Sequence, residues 1–64
     1  MSGEKPKAKL VGANGNIFNL MGIVSRSLKA AGQSDKATEM SQRVMSSGSY
    51  DEALSIIMEY VEVE

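Results

Sequence analysis

Val61-Glu62-Val63-Glu64 alternates β-branched with acidic residues, the period-2 pattern of a strand with one apolar side. Read as a strand, these four residues make the chain α+β. Read as a continuation of the helix before them, they make it all-helical, and Val61 fits both. The other end of the sequence favours the strand, with the helical continuation as the competing reading. Lys7-Ala8-Lys9-Leu10-Val11 also alternates, with Lys5, Lys7 and Lys9 on one side and Ala8 and Leu10 on the other. Side by side, the two segments set lysine against glutamate on one face and Leu10 near Val61 and Val63 on the other. A two-stranded terminal β-ribbon is the expectation.

Helices are expected between the strands. Asn14-Gly15 marks a turn, because both residues tolerate positive φ, and Asn16 is a natural N-cap. Ile17, Met21, Val24, Leu28 and Ala31 then recur at helical spacing, widened by Phe18, Leu20 and Ile23. Gly32 stands where a C′ glycine belongs, giving a helix over 16–31. Ser34 and Asp35 begin a second helix with Ala37, Met40, Val44 and Met45 as a thinner stripe. Ser49-Tyr50-Asp51-Glu52 fits a capping box. The third helix then carries Leu54, Ile57, Met58 and Val61 on one face, with Ala53, Ile56 and Tyr60 beside it. The spacing predicts core roles for Met21 and Met58 and an exposed apolar contact at Met45. The fold class is therefore α+β and mainly helical, strand–helix–helix–helix–strand. Residues 1–6 read as a disordered leader and 7–64 as a single small domain.

Composition narrows the chemistry. The chain has 64 residues, 42% hydrophobic and 23% charged, with a net charge of −1 and neither cysteine nor histidine. One small globular domain follows. Disulfides, thiolate metal sites, cysteine nucleophiles and histidine bases are all excluded. A core this small has no metal or disulfide staple, so tight packing or a second copy has to supply the missing burial, which leans towards a homodimer. Apolar runs fall far short of the ~20 residues of a membrane helix, and no secretory h-region follows the basic N-terminal residues. A cytoplasmic protein without membrane contact is expected.

No catalytic set emerges, and no enzyme, cofactor or metal is expected. The carboxylates of the last third lack the alternating loop spacing and turn glycine of a calcium site. The serines have no base to activate them. Gly12-Ala13-Asn14-Gly15-Asn16 before a helix has the outline of a phosphate-binding turn, but a tight turn and N-cap account for it better. Charge is unevenly distributed: residues 1–49 hold seven bases and three acids, whereas 50–64 hold five acids and no base. Met45, Glu59 and Glu62 are the candidate contacts for a protein partner. Arg26, Lys29, Lys36 and Arg43 are the candidate contacts for nucleic acid, the alternative reading.

Five short patterns run through the chain. They are Lys9-Leu10-Val11-Gly12, Gly15-Asn16-x-Phe18, Leu28-x-x-Ala31-Gly32, Ser47-Gly48-Ser49-Tyr50-Asp51 and Met58-x-x-Val61-x-Val63. Over residues 8–64 the chain resembles a family of very short proteins of uncharacterised function, commonly encoded by bacteriophages, prophages and conjugative elements of bacteria. These motifs are turn, cap and core positions, and no binding residue comes with them. The resemblance implies a mobile-element accessory. Together with the composition, it points to a non-enzymatic protein-interaction module, a regulator or inhibitor of a host protein.

Overall fold

The computed structural model describes residues 5–64, with β1 (Lys7–Ala8), α1 (Ile17–Ala30), α2 (Ser34–Met45), α3 (Tyr50–Tyr60) and β2 (Glu62–Val63) in chain order. The leader expected over 1–6 lies outside the described residues as far as residue 4. Lys5 and Pro6 belong to the domain. Lys5 Nζ donates to the Met58 carbonyl at 3.2 Å, and the Pro6 carbonyl accepts from Glu62 N at 2.9 Å.

The two strands pair in parallel, Lys7 opposite Glu62 and Ala8 opposite Val63. Parallel pairing needs a long crossover, and the three helices between the strands provide it. The sheet is short, two residues per strand. Beyond it, the Glu64 carbonyl accepts from Leu10 N at 2.7 Å and Val11 N at 3.0 Å.

Local chemistry sets the helix ends. Asn16 Oδ1 accepts from Phe18 N at 2.9 Å, and Asn14 Oδ1 accepts from Asn16 N at 2.9 Å. Asn19 Nδ2 closes the turn by donating to the Asn14 carbonyl. Asn14 and Asn16 of the loop that had the outline of a phosphate turn are thus engaged as turn and cap. At the other end of α1, Gly32 takes φ +76°. Gln33 N reaches the Leu28 carbonyl and Gly32 N the Lys29 carbonyl, a Schellman closure that only glycine adopts without strain. Ser34 is the first helical residue of α2, and Gln33 stands at its N-cap. Ser49 Oγ caps α3 by accepting from Glu52 N, while Glu52 Oε1 accepts from Gly48 N, one residue earlier than the usual reciprocal bond.

The core lies where α2 packs against both α1 and α3. Leu20, Val24 and Leu28 enter from α1, and Ala37, Met40 and Val44 from α2. Ala53, Ile56, Ile57 and Tyr60 enter from α3, with Ala8, Leu10 and Val61 closing one end. This corrects the face expected for α3. Ile57 and Val61 are buried as expected and Leu54 is partly buried, but the inward stripe is rotated towards Ala53, Ile56 and Tyr60, so Met58 is 57% exposed rather than buried. Met40 is the fully enclosed methionine, and Met21 is part-buried. Two tyrosines explain the rotation. Tyr60 buries its ring while its hydroxyl donates to Glu39 and accepts from Arg43, both on α2. Tyr50, ten residues earlier, donates to the Gly15 carbonyl. With both ends of α3 pinned this way, Met58 turns outward while Leu54 stays partly buried against the edge of the core.

Candidate functional site

The rotation of α3 gives the domain an apolar face. Six large hydrophobic side chains are exposed among the described residues: Val11, Phe18, Met45, Tyr50, Met58 and Val63, at 43–72%. They are not scattered. All six line two adjoining grooves that share Tyr50. The first, about 360 Å³, opens between the start of α1, the end of α2 and the start of α3, with Phe18 and Met45 on its rim. The second, about 330 Å³, opens between the β1–α1 loop, α3 and β2, with Val11, Met58 and Val63 on its rim. Neither lining contains a charged residue. Isolated exposed apolar residues are normal on any protein, whereas a contiguous group is a feature that calls for an explanation.

A polar bridge lies between α2 and α3. Arg43 grips Glu59 with both guanidinium branches, Nη1 to Oε1 at 2.6 Å and Nη2 to Oε2 at 3.1 Å. Arg43 Nη1 also donates to Tyr60 Oη at 3.1 Å, and the guanidinium carbon sits 5.7 Å from the Tyr60 ring centroid. The hydrogen bond to Glu59, followed by that to Tyr60, holds Arg43 above its ordinary pKa. The bond from Arg43 holds Glu59 below the usual carboxylate value. Burial, followed by donation to Glu39, pushes the Tyr60 phenol up. Arg43 and Glu59 are exposed, so water screens the pair and it adds little to stability while linking α2 to α3.

The structure separates the residues singled out from the sequence. Met45 is 65% exposed on the rim of the first groove. Glu59 is occupied by Arg43, so one candidate from each reading neutralises the other. Glu62 is exposed in β2 opposite Lys7. Arg26 and Lys29 on α1 and Lys36 on α2 are exposed and form no ion pair with another described residue, the Arg43–Glu59 pair being the one salt bridge among the described residues. Sequence reasoning missed the other five members of the apolar face. The signal was available only as an excess: α3 has more apolar positions than one inward stripe can use.

Among the described residues, no group of three or more carboxylates is arranged to hold a metal ion, and no helix is long and apolar enough to cross a membrane. Comparison with family models, curated proteins and solved structures finds no match to this chain.

Proposed function

We propose that this chain is a small, non-enzymatic protein-interaction module that works through its apolar face. One observation carries the reading: every large hydrophobic side chain exposed among the described residues lines one of two grooves that meet at Tyr50. In water that arrangement loses hydrophobic free energy, which a covering protein surface would recover. The terminal ribbon serves this face by clipping Val63 beside Leu10, both in the second groove. An accessory role of the mobile-element kind, acting on a host protein, fits such a module. The charged residues put forward for nucleic acid support that alternative less well, because Arg43 is engaged by Glu59 and Tyr60.

The test compares two baits in bacterial lysate with and without nuclease, the natural chain and a variant carrying Met45→Glu and Met58→Glu. Protein retained by the first and lost by the second supports the reading. An identical set on both baits, or material that vanishes with nuclease, refutes it.

A further inference from the structure

We propose that the chain covering this face is a second copy of the same protein, docked about a two-fold axis; this rests on the reading of the face as a protein-binding surface. Three observations lead there. The first is area. At roughly 150–200 Å² per large apolar residue, six residues exposed by 43–72% present about 500–700 Å² of mostly apolar surface. That lies at or above the largest patch of an ordinary monomer, ~300–600 Å². A standard interface buries ~800 Å² per partner, and homodimer interfaces are ~65% apolar. The patch alone therefore supplies the apolar core a stable dimer requires.

The second observation is shape. A two-fold interface is self-complementary, so every protrusion must find its recess on the same face. Here protrusions and recesses adjoin: Phe18 and Met45 stand at the first groove and Met58 and Val11 at the second. Each copy can insert its protruding side chains into the grooves of the other. Methionine suits such a contact, because its unbranched thioether fills irregular gaps.

The third observation is charge. A strongly charged partner would be met by opposite charges in the grooves, and neither lining contains any. A second copy brings an equally neutral surface, so two linings meet without like-charge repulsion.

Sedimentation equilibrium of the full chain, from about 5 to about 500 μM, tests the proposal. The natural chain should pass from monomer to dimer across that range. Met45→Lys and Met58→Lys, one in each groove, should each weaken association at least ~10-fold. Lys29→Glu, a charge change at the far end of α1, should leave it unaltered. Both methionines are more than half exposed, so their helical circular dichroism should match the natural chain. A chain monomeric at the highest concentration overturns the proposal, as does a dimer that both lysine variants retain. The two readings fail separately. A monomer whose bait still captures protein that the double glutamate variant loses removes the second copy and leaves the interaction module standing.

Discussion

Substituting Ile57 and Met58 separately by alanine measures the rotation of α3 directly. The two residues are neighbours, both are large and apolar, and the sequence places both on the inward stripe. In the structure Ile57 is 0% exposed and Met58 57% exposed. Ile57→Ala removes buried carbons and leaves a cavity in the core cluster that Ile57 shares with Leu28 and Met40, which costs about 2–5 kcal/mol. Met58→Ala forfeits less than half the burial of a side chain worth ~1.5–3 kcal/mol when fully enclosed. Alanine returns part of that through helix propensity, leaving a net loss of about 0.5 kcal/mol. The total stability of a chain this size is about 3–10 kcal/mol. Ile57→Ala thus removes much of it and lowers Tm by tens of degrees, at ~4–8 °C per kcal/mol. Urea unfolding followed by circular dichroism reads both variants. The protein is kept near 2 μM so that association contributes little. Equal losses for the two variants, or a larger loss for Met58→Ala, would refute the rotation and the apolar face built on it.

Two further outcomes follow from backbone and titration. Gly32→Ala should destabilise by about 1 kcal/mol through φ alone, since a Cβ there meets nothing within 4 Å. Gly22→Ala, in the exposed face of α1 with equal space, should stabilise by up to about 1 kcal/mol; two shifts of the same sign in thermal melts would contradict this. Tyr60 should titrate above the ordinary phenol value of 10.0. Its contribution to stability is then complete below that value and lost as pH rises through the higher folded-state pKa. Ultraviolet titration of a Tyr50→Phe variant isolates the group, and a midpoint at or below 10.0 would contradict its burial and its bond to Glu39.

The elements legible in the sequence are those specified by neighbouring residues. Asn16 and Ser49 cap because the amides they serve lie two and three residues on, and Gly32 closes α1 because its positive φ is a local requirement. The facing of Lys7 and Glu62 could be read too, since alternation and opposite charge leave few registers. The inward face of α3 could not be read. Leu54-Ile57-Met58-Val61 and Ala53-Ile56-Ile57-Tyr60 are both apolar stripes, one residue apart. What selects between them is a tyrosine hydroxyl meeting Glu39 and Arg43, residues 21 and 17 positions away on another helix. The candidate site was partly legible for the same reason. Met45 stands out as apolar near a helix end, whereas Phe18, Tyr50 and Met58 are recognised as surface only once α3 is oriented.

The parallel pairing of β1 with β2 also governs how the domain answers a mechanical load. A pull applied through the chain before Lys7 and after Val63 slides the strands past one another rather than peeling them apart. Sliding loads the Glu62–Pro6, Glu64–Ala8 and Leu10–Glu64 hydrogen bonds together, so they share the force instead of yielding in turn. An antiparallel hairpin of the same length would open one bond at a time. A sheet of two residues per strand is thereby a shear clamp, and the helices behind it are shielded from tension until it gives way.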